Sequence, residues 1–215
     1  NGNYGVRNQG GSSGTVRITD SQIINNNGTG IYSNDAYDDW VISGNTISGN
    51  QYSISLDDDY DVDIRNNVIE DNLYGAVGFY RIRGDFTFSD NRLSHSNSNR
   101  AFYYDNGYDA NSSTSTDSIT ITDNEFVNSV SSDTVYVRDD GAADAVITGN
   151  SIVGGSYGLK LYNYDTNVQP TISDNTITST SNYALYINGK IVPTVTGNRL
   201  DNNGNGMYFE YSDAN

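Results

Sequence analysis

The residue types with chemical potential are a recurring tyrosine, many carboxylates and one small basic cluster. Tyr103, Tyr136, Tyr186 and Tyr208 each stand at the centre of a short apolar-x-apolar phrase, Tyr32 follows Ile31 in the same place with Ser33 after it, and Ser55, Gly78 and Lys160 hold that place in three further copies. A tyrosine ring offers a flat apolar face to the C–H surface of a sugar and a hydroxyl for hydrogen bonding. The stretch after each phrase is acidic in most copies, with Asp35, Asp38 and Asp39, then Asp57, Asp58, Asp59 and Asp61, and later Asp85, Asp105, Asp109, Asp139, Asp140, Asp144 and Asp165. Carboxylates bond sugar hydroxyls or hold Ca²⁺. Asp57, Asp59 and Asp61 alternate in the densest run and are candidate Ca²⁺ ligands, although Val62 and Val68 stand where an EF-hand loop needs Gly and Glu. No cofactor is required by these residues; Ca²⁺ is the one they would accept. Arg81, Arg83, Arg92 and Arg100 form the basic cluster, and the sole histidine, His95, lies inside it.

The elements that position these residues follow from an internal repeat. One phrase reads apolar-x-apolar, polar, Asp or Gly, then Asn, any residue and an apolar residue. Val41-Ile42-Ser43-Gly44-Asn45-Thr46-Ile47 and Ile119-Thr120-Ile121-Thr122-Asp123-Asn124-Glu125-Phe126 are two instances. The key asparagines are Asn45, Asn67, Asn91, Asn124, Asn150, Asn175 and Asn198, with Ser21 in the first copy. Their separations are 24, 22, 24, 33, 26, 25 and 23 residues. A period in the twenties fits one coil of a β-solenoid, and the chain lacks the Leu-rich strands and helical return of a leucine-rich repeat. The tyrosine phrase follows in every copy, from Gly30-Ile31-Tyr32 to Met207-Tyr208-Phe209. Apolar residues two apart mean a strand with alternate residues inside. Each coil therefore has three short strands, and the fold is all-β, a solenoid of about eight coils. An asparagine amide both donates and accepts, so stacked asparagines form a ladder along one bend. The Asp or Gly before each one tolerates unusual turn dihedrals.

Composition bounds the setting. Lys plus Arg total 11 against 27 Asp plus Glu, a formal charge of −16, so the surface repels nucleic acid and anionic membranes. Cysteine is absent, which removes disulfides and thiolate metal sites. No apolar run is long enough for membrane insertion. The 215 residues suit one solenoid domain over 1–215. The chain opens on Asn1 and starts and ends in similar phases of the repeat, so we expect it to be part of a longer chain or to stack head to tail with copies of itself.

Across about residues 5–210 these lines resemble the right-handed parallel β-helix repeats of the pectate-lyase-like superfamily, including NosD-like repeats. The resemblance implies that the asparagine bend joins the family's second and third strands and that the tyrosine strand is its first. In the family's enzymes polysaccharide lies along that strand and the turn after it. The ligand-binding face would then comprise Tyr32, Tyr103, Tyr136, Lys160, Tyr186 and Tyr208. The same ladder also stabilises a sheet face with no ligand, and both readings stand at this point.

A superfamily of lyases, hydrolases, epimerases, tailspikes and adhesins does not fix function. The expectation is an extracellular or cell-surface structural, adhesive or glycan-binding solenoid, with polysaccharide or further copies as partners. The alternative is a polysaccharide lyase or C5-epimerase acting on a uronate polymer. That chemistry needs a cation for the carboxylate, a base for the C5 proton and an acid for the leaving oxygen. Arg81 or Arg100, Tyr103 and His95 are the candidates. The Asp-Pro-His motif of mannuronan epimerases and the histidine signatures of pectate lyases are missing. The longest insertion, from Asp105 to Ser118 with Tyr108, could wall a groove.

Overall fold

A computed structural model describes residues 3–10, 13–95, 100–107, 116–128, 131–141 and 143–210, the side chains of 76 and 165–167 excepted. Every regular element among them is a β-strand. The strands form three parallel sheets of nine, eight and eight strands, and each sheet takes one strand from every coil in chain order. The third coil shows the plan. Tyr52–Asp57 enters the first sheet, Val62–Arg65 the second and Val68–Glu70 the third. The expected all-β, right-handed parallel β-helix is the observed fold, with eight complete coils. The first sheet holds one strand more than the tyrosine phrases announce, because Tyr4–Gln9 pairs with Thr29–Asn34 and puts Arg7 in line with Tyr32.

Alternation explains the burial. In Val135–Arg138 the pattern is in, out, in, out, with Val135 and Val137 buried and Tyr136 half-exposed. Apolar residues from all three sheets line one continuous interior. It is most aromatic at the fourth and fifth coils, where Phe79, Phe86, Phe88, Phe102, Tyr104 and Phe126 meet at ring-centroid distances of 4.7–6.2 Å. Such offset and edge contacts add to the energy of area burial.

The asparagine ladder is present as expected. Asn67 donates its backbone N–H and its Nδ2 to Asn91 Oδ1, at 3.0 and 2.9 Å, and its Nδ2 also reaches the Ile42 carbonyl at 2.9 Å. The same bonds recur from Asn45 to Asn198. The residue before each asparagine has positive φ, for example 55° at Asp90 and 69° at Gly149. A second ladder, not foreseen in the sequence, lies five residues on at the other end of the third strand. Asn26 donates to Asn50 and Asn50 to Asn72, and Thr180 donates to Asn203. Both ends of this strand are therefore pinned by buried amides, which fixes the angle at which the chain re-enters the first sheet.

Candidate functional site

The first sheet places the mid-strand residues in one outward column, in the register Arg7, Tyr32, Ser55, Gly78, Tyr103, Tyr136, Lys160, Tyr186 and Tyr208. The column is not uniform. From the fifth coil onward it is filled by its own contacts. Tyr103 stacks on Tyr136 at 5.0 Å, Tyr136 meets Tyr162 at 5.4 Å, and Tyr186 stacks on Tyr208 at 5.2 Å. Cations occupy the remaining ring faces. Arg100 lies 4.9 and 4.4 Å from the ring centroids of Tyr103 and Tyr136, and Lys160 lies 4.2 Å from that of Tyr157. Asp133 is buried between them and pairs with Arg100 at 3.0 Å and Lys160 at 3.7 Å.

Earlier in the column two small residues interrupt the tyrosines. Ser55 and Gly78 leave a groove of about 560 Å³ between Tyr32 and Tyr103, walled also by Tyr52, Tyr74, Tyr80 and Arg100. Three coil spacings separate Tyr32 from Tyr103, which is ~14 Å along the rod. Tyr52 and Tyr74 pack at 5.6 Å and keep 45 % and 43 % of their surface exposed. Tyr80 is in register between Asp57 and Asp105 at the trailing rim. The Tyr103 hydroxyl donates to Asp105 at 2.5 Å.

Burial, and then that bond to Asp105, push the Tyr103 phenol well above its ordinary range. Burial pushes Tyr136 up to about 12, and burial with the charges of Asp105 and Asp57 raises Tyr80. The hydroxyls of Tyr80, Tyr103 and Tyr136 are therefore held protonated at neutral pH, and that of Tyr103 donates to Asp105.

The candidate catalytic residues are brought together only in part. Arg100 and Tyr103 meet in the groove. Arg81 sits in the turn after Gly75–Tyr80 and is held by Asp57 and Asp58, at 2.7 and 2.8 Å. His95 closes the strand Arg92–His95 in the third sheet rather than lying in a turn, and is 2 % exposed. The loop bearing Tyr108 and Asp109 lies outside the described residues.

The acidic run also separates. Asp57 is ion-paired with Arg81, Asp59 is buried and accepts from Ser33 Oγ at 3.1 Å, and Asp61 accepts from the Asp85 backbone N–H at 2.8 Å. Among the described residues no group of three or more His, Cys, Asp or Glu is placed to hold a metal ion. No helix among them is long and apolar enough to cross a membrane.

Tyr52, Tyr74 and Tyr80 were missed as site residues in the sequence because Tyr52 and Tyr80 stand at the ends of their strands and Tyr74 just before one, all outside the repeated phrase. Ser55 and Gly78 were visible in the column, but only as gaps in it. Residues 1–112 and 83–215 each match the family model described as right handed beta helix region. No curated protein and no solved structure matches the chain.

Proposed function

The chain belongs to the right-handed beta helix family, and from that premise we propose that it is a rigid solenoid holding an extended glycan in the tyrosine-walled groove of its second to fifth coils. The observation that carries this reading is the interruption of the tyrosine column at Ser55 and Gly78. A ladder built only for stability would have no use for a gap flanked by five tyrosines. Ring faces with a hydroxyl rim suit sugar, whose C–H surface stacks and whose hydroxyls hydrogen-bond. The likeness to pectate-lyase-like repeats supports the same face, and polysaccharide places the work outside the cell or at its surface.

The test is to fill the gap. A Cβ on Gly78 would lie 3.3 Å from the ring of Tyr80, which must give by a few tenths of an ångström, with no backbone atom among its nearest neighbours. Gly78→Tyr should therefore fold with the Tyr80 ring turned aside, and abolish retardation in polysaccharide-containing gels. Full retardation of the variant would remove the groove from the reading.

Binding is favoured over the lyase or epimerase alternative by the groove lining. Among the described residues that wall it there is no carboxylate and no imidazole to act as a base, only protonated phenols and Arg100.

A second reading, head-to-tail stacking of copies, draws on the terminal coils. Val6, Val16 and Ile18 are only partly buried, and Met207 and Phe209 are 41 % and 36 % exposed. A second copy would continue the sheets and cover them. Stacking predicts a concentration-dependent mass above 23.4 kDa in light scattering; a monomer throughout would count against it.

A further inference from the structure

Resting on the glycan-binding reading, we infer that the groove takes an uncharged glycan, in preference to a polyuronate or a polyamine sugar. The observation is that the described charges beside it offset one another as a set. Arg100 is the one ionised side chain in the lining. Its Nε is tied to Asp133 Oδ2 at 3.0 Å and its guanidinium lies over Tyr103 and Tyr136. It is a strut of the wall, held by a carboxylate that it shares with Lys160.

A uronate polymer carries a charge on each sugar and needs a row of cations to meet it. Arg7, in the first coil, bonds Gln9 and lies over Tyr4, and the cations beside the groove lie against carboxylates. Lys160 faces Asp133, Arg138 pairs with Asp140 at 2.6 Å, and Arg81 and Arg83 share Asp58. With a formal charge of −16 on the chain, an anionic polymer is opposed at long range as well.

The rim carboxylates are held as well, Asp57 by a cation and Asp105 by two neutral donors, so that the charge of Asp105 offsets the cation that Arg100 and Lys160 carry in excess of Asp133. Asp57 pairs with Arg81 at 2.7 Å. Asp105 accepts from the Tyr103 hydroxyl and from the Gly107 N–H, at 2.5 and 2.9 Å. What the groove presents is ring faces, the Ser55 hydroxyl and phenol donors, all of which act without net charge.

Titration calorimetry with three oligosaccharides of equal length decides the point: a neutral glucan, an oligouronate and a deacetylated glucosamine oligomer, each at low and high salt. The neutral oligomer should bind, with a Kd that moves by less than about twofold between the salts, and Gly78→Tyr should remove that binding. The uronate should be at least about tenfold weaker at low salt. A charged oligomer that binds as tightly as the neutral one, or neutral binding that salt weakens, overturns the inference and leaves the glycan reading standing. No binding by any of the three overturns both.

Discussion

Two aspartates carry the clearest consequence at the level of single residues. Asp59 and Asp139 are 0 % and 5 % exposed, and burial pushes both up to about 6. The folded state therefore holds protons that the unfolded chain has released by about pH 4. Stability falls as pH rises from about 4 through 6 and levels off above about 7. The full effect is up to about 3 kcal/mol for each group. Asp59→Asn and Asp139→Asn should each flatten the pH dependence of the melting temperature and stabilise the chain at pH 7. Unchanged slopes in both variants would show that the two carboxyls titrate alike in the folded and unfolded chains.

At the scale of elements, three of the bends before a ladder asparagine carry a glycine on which an aspartate of the preceding coil is stacked. Asp20 lies against Gly44, Asp123 against Gly149 and Asp174 against Gly197. A Cβ on Gly149 would sit 2.2 Å from Asp123 Oδ1, and the backbone there has a φ of +69°. Gly149→Ala therefore meets two obstacles, the left-handed backbone and the carboxylate. It should destabilise by more than about 1 kcal/mol. Asp123→Ala removes only the second obstacle, so the double variant should lose less than the sum of the singles in denaturant titrations. Strict additivity would mean that the carboxylate simply swings aside.

Across the whole molecule the dominant feature is charge. A rod with a formal charge of −16 repels itself, and salt screens that repulsion. The melting temperature should rise with salt while neutral-glycan affinity stays level. Ion pairs such as Arg81 with Asp57 and Asp58 oppose this locally, but among the described residues they hold eight of the 27 carboxylates. A melting temperature that falls with salt would put the ion pairs ahead of the net charge.

The sequence by itself determined the solenoid, its eight coils, the asparagine ladder and the outward column. Each of these rests on a period, and a period is visible along a chain: two within a strand, the twenties between coils. The interior place of Tyr104 followed from the same alternation. The second ladder escaped because its asparagines recur only in the early and late coils. Only the tertiary structure decided the site. Whether a small residue in a column is a flaw or a groove depends on what stands beside it. Tyr52, Tyr74 and Tyr80 beside Ser55 and Gly78 stand at or just outside the strand ends, beyond the repeated phrase. The same holds for His95, buried in the third sheet, and for Arg100, which pairs with a residue 33 positions away. Partners across coils are set by stacking, and stacking joins residues that the chain keeps apart.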